Sequence, residues 1–333
     1  MNKTLLFHQG ALGDLILSLP AIQAIRCGAD TGSLHLISRA DLQDLLLHNG
    51  LIDETSSIDS GFFAPLYGGD RLPETLKNFL MEYSSAFVFS KSPDLLIMER
   101  VAQYVPRSFH IRTVPPAGEI VHVSDFQLSG LRSAGLDSAS AAPVLDAVAS
   151  PVRRASDSII VFHPGSGGRG KCWSLENYLD LIAFILKSGG YSACVLVGPA
   201  EGEELFQSLL RGIDKRRITV DIVRDRPISH IASLLKSSTL YVGNDSGVTH
   251  LSSALGVPTV ALFGPTDHRL WRPKGKKTRI VRSDFPCSPC DEERCRRCGG
   301  RNCLETIGVG AVIEEIRRLI GDGGARDVCP GGT

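Results

Sequence analysis

No run of apolar residues in this chain approaches the roughly 18 needed to carry a helix across a bilayer. The N-terminal stretch Met1–Leu19 is apolar, but Gly10, Gly13 and Asp14 interrupt it and no small-residue cleavage site follows. It therefore reads as a buried strand and helix and not as a secretion signal, and the expectation is a cytoplasmic protein. An excess of either charge is also missing: 36 Lys and Arg balance 36 Asp and Glu, for a formal net charge of zero. Phosphate-backbone affinity needs a basic surplus, which argues against nucleic acid as a partner. A local basic patch remains at Arg294, Arg296, Arg297 and Arg301.

What is present is length and alternation. A chain of 333 residues suggests two domains, each long enough to bury its own core. Short apolar runs alternate with helical patterns, the signature of parallel sheets covered by helices. In the first half the strands are Thr4–His8, Leu34–Ser38 and Ala86–Ser90, with helices from Asp14 to Arg26, from Asp41 and from Asp94. Pro20 should kink the first helix or open a new one. The Ala-, Ser- and Pro-rich stretch Ser138–Ser158 is the expected linker, dividing an N-terminal domain (1–150) from a C-terminal one (151–320), with a frayed tail (321–333). The second half restarts with strands Ser158–His163, Ser192–Gly198, Thr239–Gly243 and Thr259–Gly264. Helices Ser174–Ser188, Glu201–Arg211, Ile228–Lys236, Ser246–Leu255 and Ile307–Ile320 separate or close them.

Four segments can carry chemistry. Gly10-Ala-Leu-Gly13-Asp14 links a strand to a helix, where glycines let backbone approach a ligand and Asp14 is either a helix cap or a functional carboxylate. It departs from the Gly-x-Gly-x-x-Gly dinucleotide fingerprint, which disfavours a nicotinamide enzyme. Gly165 to Lys171 has the Gly-x-x-x-x-Gly-Lys spacing of a nucleotide-triphosphate loop, but Cys172 stands where a Mg²⁺-binding hydroxyl belongs. A phosphate-binding glycine loop of another kind fits better. Asn244-Asp-Ser-Gly-Val-Thr-His250 runs from a strand end into a helix N-terminus, where free N–H groups and the helix dipole favour an anion. Cys287, Cys290, Cys295 and Cys298 form two Cys-x-x-Cys pairs, with Cys303 beyond them. They suit a tetrahedral Zn²⁺ site or reduced thiols, on a gap shorter than that of usual zinc ribbons.

Together these residues resemble the ADP-heptose:lipopolysaccharide heptosyltransferases, the ninth glycosyltransferase family, from Phe7 to about Ile307. The resemblance rests on Gly10 to Asp14 with the following Leu15-Ile-Leu-Ser-Leu-Pro20-Ala-Ile. It rests also on His163-Pro-Gly-Ser-Gly with Lys171-x-Trp173, and on Asn244 to His250 through Phe263-Gly-Pro-Thr-Asp267. Pro286-Cys-Ser-Pro-Cys290 with Cys295 and Cys303 resembles a segment of some members. The resemblance implies an α/β GT-B fold, two Rossmann-like domains facing across a cleft. It implies an inverting transfer of heptose from an ADP-heptose donor to a Kdo or heptose of the lipopolysaccharide inner core, with no essential metal and peripheral contact with the inner face of the cytoplasmic membrane. Asp14 is then the general base, and Lys171 the cation that answers the leaving group. Gly13, Ser166, Gly167, Asp245, Ser246, Gly247 and His250 bind the donor, and Glu201, or failing it Glu203, meets the ribose. The stretch from Gly50 to Glu119 carries no motif for the acceptor. The rival readings are a GT-B enzyme acting on another nucleotide sugar, a transferase or an epimerase, and a zinc-stabilised binding module.

Overall fold

The apolar runs of the first half become the inner strands of a parallel sheet. In the computed structural model, which describes residues 2–28, 31–39, 42–69, 71–91, 95–136, 142, 144–147, 158–290, 297 and 301–321, the chain divides into two units, Met1–Val148 and Ala149–Thr333. The first unit holds strands β1 (Lys3–His8), β2 (Ser33–Ser38), β3 (Glu54–Ser57), β4 (Ser85–Ser90) and β5 (Arg107–Arg112), all parallel, in the order β3-β2-β1-β4-β5. Helices α1 (Leu12–Arg26), α2 (Gln43–His48), α3 (Glu74–Met81), α4 (Leu95–Ala102) and α5 (Val123–Gly130) accompany it. Leu5, Phe7, Val88, Leu76, Leu80, Ile97 and Val101 form part of the core on one side of this sheet. Burial on both faces explains why β1 and β4 read as unbroken apolar runs and not as alternating ones.

The second unit holds β6 (Ile159–His163), β7 (Ser192–Val197), β8 (Asp221–Arg224), β9 (Leu240–Asn244), β10 (Thr259–Phe263) and β11 (Thr278–Arg282) in the parallel order β11-β10-β9-β6-β7-β8. Its helices are α6 (Leu175–Ser188), α7 (Gly202–Arg216), α8 (Ile228–Lys236), α9 (Gly247–Ala254), α10 (His268–Trp271), α11 (Arg301–Glu305) and α12 (Val309–Ile320). Counted from its own first strand, each sheet runs 3-2-1-4-5, and the second adds a sixth strand. This is the doubly wound order, whose direction of winding reverses between strands one and four. Among the described residues no helix is long and apolar enough to cross a membrane.

Two expectations concern helix extents. Of the two alternatives for Pro20, it does not open a new helix; it lies inside α1. It removes one backbone bond, while Leu15, Leu17, Leu19, Ile22 and Ile25 of the same helix are buried and hold it to the sheet. Helix α7 continues to Arg216, past the expected end at Arg211, because Arg216 is held by Glu176 and Asp180 of α6. The expected linker lies mostly outside the described residues, as does the tail beyond residue 321.

Trp173 shows how the core of the second unit reaches the glycine loop. It is 2% exposed, meets Tyr178 edge to face, and donates its indole N–H to the Ile307 carbonyl at 2.9 Å. Trp173→Ala is therefore expected to destabilise this unit by about 3–5 kcal/mol, read as a lower urea midpoint for its unfolding transition.

Candidate active site

At the winding reversal of the second unit, β6 and β9 lie side by side and their outgoing loops diverge. That is where open α/β sheets bind ligands. Asn244, the last residue of β9, joins the two loops. Its side-chain amide donates to the carbonyls of Pro164 (2.8 Å) and Gly165 (3.2 Å), and its side-chain oxygen accepts the Trp173 N–H at 3.0 Å. Ser166 adds a hydroxyl bond to the Asp245 carbonyl at 2.8 Å. The glycine loop is thus pinned at both ends against the start of α9. Ser246 caps that helix by accepting the Thr249 N–H. The first N–H groups of the helix, those of Gly247 and Val248, precede any intrahelical partner and carry the positive end of its dipole.

The charges converge on the same point. The Lys171 ammonium lies 2.8 Å from the Asp245 carboxylate, whose other oxygen is 3.8 Å from His250 Nε2. Asp245 and His250 are buried, whereas the Lys171 side chain is 42% exposed. Burial of Asp245 opposes its charge, but the nearby His250 imidazole and the Lys171 ammonium outweigh burial and hold its carboxyl well below the ordinary range. Lys171 therefore enters the site already partnered. His250 Nδ1 is buried and has no hydrogen-bond partner among the described residues.

Glu201, at the turn after β7, is half-buried, with its side chain only 5% exposed. Its carboxylate stands 3.3 Å from His163 Nε2 and accepts the Gly198 N–H. Burial pushes the Glu201 carboxyl up, yet the His163 contact and the backbone N–H groups of Gly198 and Glu201 bring it below its ordinary value. Gly165 makes room for this approach: a Cβ there would sit 1.9 Å from Glu201 Oε1. Glu201, Gly165, Ser166 and Trp173 line a cavity of about 510 Å³ that extends along α7 to Leu205 and Ser208, within the size range of small-molecule sites. Glu203, the other carboxylate considered for the ribose, is engaged on the surface with Arg224 and Gln207.

In the first unit, Asp14 lies in the first turn of α1 and its carboxylate accepts the Ala11 N–H at 3.1 Å, a capping contact. Gly10 permits the turn, since a Cβ would come within 2.5 Å of Asp14 Cβ and 2.7 Å of the His8 ring. His8 is fully buried beneath it: Nδ1 accepts the Gly10 N–H at 3.2 Å and Nε2 meets the Ser18 hydroxyl at 3.0 Å. Ser18 in turn donates to the Asp14 carbonyl at 2.9 Å. Burial pushes the His8 imidazole down to about 4 against the pull of Asp14, so the ring is neutral at physiological pH. Gly13 is half-buried beside Asp14.

Three participants carried no assigned role in the sequence: His8, His163 and Asn244. Each is the last residue of an inner strand and each is buried. A polar residue ending an otherwise apolar strand is the signal that marks them, because burying it requires partners in the following loop. Of the cysteine cluster, Cys287 and Cys290 are half-buried, and Cys303 packs against Gly264. Cys295 and Cys298 lie outside the described residues, among which no group of three or more His, Cys, Asp or Glu is placed to hold a metal ion.

Residues 121–299, more than half of the chain, match the family described as glycosyltransferase family 9 (heptosyltransferase). Asp14 and its turn precede the matched span. Lipooligosaccharide heptosyltransferase 2 of Campylobacter jejuni subsp. jejuni serotype O:6 is 27% identical over 164 residues, 48% of this chain and 51% of that protein. The chain spans about half the length of the curated relatives it matches, or less. Among solved structures, Escherichia coli ADP-heptose lipopolysaccharide heptosyltransferase II is similar at a TM-score of 0.75 and 19% identity, over 97% of this chain and 100% of that one. The family 9 glycosyltransferase of Veillonella parvula is similar at 0.78 and 18%, over 96% and 98%. At such identities the likeness establishes the fold: two parallel-sheet α/β domains of the GT-B type.

Two outcomes follow from this geometry. Gly165→Ala forces Glu201 away from His163 and is expected to lower stability by about 1–3 kcal/mol, measured as a drop in the urea midpoint. Because the Asp245 carboxyl sits below its unfolded value of 3.8, its contribution is fully present above that value and is lost as the pH falls below it. Unfolding midpoints followed from pH 7 to pH 3 should therefore decline less steeply in Asp245→Asn than in the parent protein.

Proposed function

The chain belongs to glycosyltransferase family 9, the heptosyltransferases, and from that premise we propose that it transfers heptose with inversion from ADP-heptose to a Kdo or heptose of the lipopolysaccharide inner core. The observation that carries this reading is the paired-loop site of the second unit. There, Lys171, the Ser166-Gly167 backbone and the N-terminus of α9 converge beside a cavity of about 510 Å³. The names of the relatives point the same way, to heptosyl donors and to lipopolysaccharide or lipooligosaccharide acceptors.

The chemistry follows from charge. As the bond from the anomeric carbon to the diphosphate oxygen breaks, the sugar gains positive character and the ADP leaving group gains negative charge. N–H donors from Ser166, Gly167, Ser246 and Gly247 meet that charge at fixed positions, each preorganised donor lowering the barrier by roughly 2.7–4 kcal/mol. Lys171 begins paired with Asp245 and turns its ammonium toward the diphosphate as the anion arrives, so the site needs no divalent metal in this reading. His250 holds the second Asp245 oxygen while Lys171 is shared. Glu201, facing the cavity, accepts the ribose hydroxyls. Asp14 takes the proton of the acceptor hydroxyl as it attacks the face opposite the diphosphate. The carboxylate helps late, once the hydroxyl has become acidic in the transition state. The lipid-borne acceptor brings the enzyme to the inner face of the cytoplasmic membrane.

The test separates the two units. Asp14→Asn should reduce kcat for heptosyl transfer by about 10²–10⁴-fold while ADP affinity, measured by calorimetry, stays at the parent value. Transfer in both proteins should survive EDTA. Parent-level turnover by Asp14→Asn removes Asp14 from the mechanism.

A further inference from the structure

His163 ends β6 and is buried among residues that the proposed mechanism uses, without itself touching the space left for the donor. Its ring spans two of them. Nε2 lies 3.3 Å from the Glu201 carboxylate and Nδ1 lies 3.4 Å from the Ser246 hydroxyl. Glu201 follows β7 and Ser246 follows β9, so one imidazole joins the outgoing loops of the strands on either side of its own. The Ser246 hydroxyl that meets Nδ1 also lies 3.1 Å from the Thr249 hydroxyl, so the imidazole is tied into the hydrogen bonds that close the first turn of α9. The same hydroxyl oxygen accepts the Thr249 N–H and so caps α9. The orientation of that cap, and of the N–H groups beside it, is thereby connected through one imidazole to a carboxylate that lines the cavity.

We propose that His163 is a positioning residue that couples the ribose end of the nucleotide site, at Glu201, to its diphosphate end, at Ser246 and the α9 N-terminus. The inference rests on reading this site as the place of a nucleoside diphosphate. Ribose hydroxyls donating to Glu201 redistribute the carboxylate's bonds. His163 adjusts, and Ser246 presents the helix N-terminus in the arrangement that the diphosphate needs. Gly165 is part of the device, since any side chain there would displace Glu201 from the ring.

The bridge can be cut on either side. His163→Asn keeps a polar atom near the Nδ1 position and the Ser246 contact, whereas His163→Gln keeps the reach to Glu201; neither spans both. ADP affinity is measured by calorimetry for Glu201→Gln, Ser246→Ala and the double variant, each with histidine, asparagine or glutamine at position 163, and melting temperature reports folding. With His163 present, the combined effect is expected to depart from the product of the single effects by on the order of fivefold. With asparagine or glutamine the effects should simply multiply. Multiplying effects in the presence of His163, or a departure that persists without it, overturn the inference. A parent protein that binds no ADP removes the donor-site reading as well, which distinguishes the two failures. Independently of any variant, ADP added to ¹⁵N-histidine-labelled protein should shift both ring nitrogens of His163; an unmoved Nδ1 resonance overturns the coupling.

Discussion

The buried carboxamide of Asn244 holds the site of the second unit together. It satisfies two carbonyls and one N–H of a glycine-rich loop whose own regular structure is a single 3₁₀ turn, Arg169–Lys171. Such a loop pays a conformational cost, and buried polar backbone requires partners. One side chain meets both demands because it ends a strand whose neighbour launches that loop. Ser166 bonding to the Asp245 carbonyl adds a second tie one residue further on. The glycine loop and the start of α9 take their relative position from these bonds.

The electrostatics follow the same economy. Lys171 and Asp245 neutralise one another at 2.8 Å, so the side chains present a pair and not a bare cation. The uncompensated positive potential comes from backbone, at the first turn of α9. A diphosphate approaching this point meets fixed dipoles, with a lysine available by exchange of its partner. The arrangement keeps a buried carboxylate charged without leaving it unpaired, the condition under which burial is tolerable. In the first unit the corresponding turn is held differently. His8 and Ser18 bind the Gly10 N–H and the Asp14 carbonyl from below, while the carboxylate caps the turn through the Ala11 N–H.

The sequence made the inner strands legible and the outer ones obscure. β1, β2, β4, β6, β7, β9 and β10 are apolar runs that sequence reading locates to within a residue or two. The four it passes over, β3, β5, β8 and β11, are the four sheet edges. Edge strands need no apolar run on both faces and carry charge that discourages further pairing, as in Asp221-Ile-Val-Arg224. The glycine turns and the helix cap at Ser246 were readable because they obey local rules. The roles of His8, His163 and Asn244 were not, since each depends on partners brought close only by sheet order: Asn244 meets Pro164 from 80 residues away.

The central claim is that the second unit holds an ADP-sugar. Calorimetric titration with a panel of ADP-, UDP- and GDP-sugars tests it most directly. The account predicts that ADP-heptose binds and that the uridine and guanosine sugars bind far more weakly. Preference for another base, or no binding of any nucleotide sugar, would contradict it.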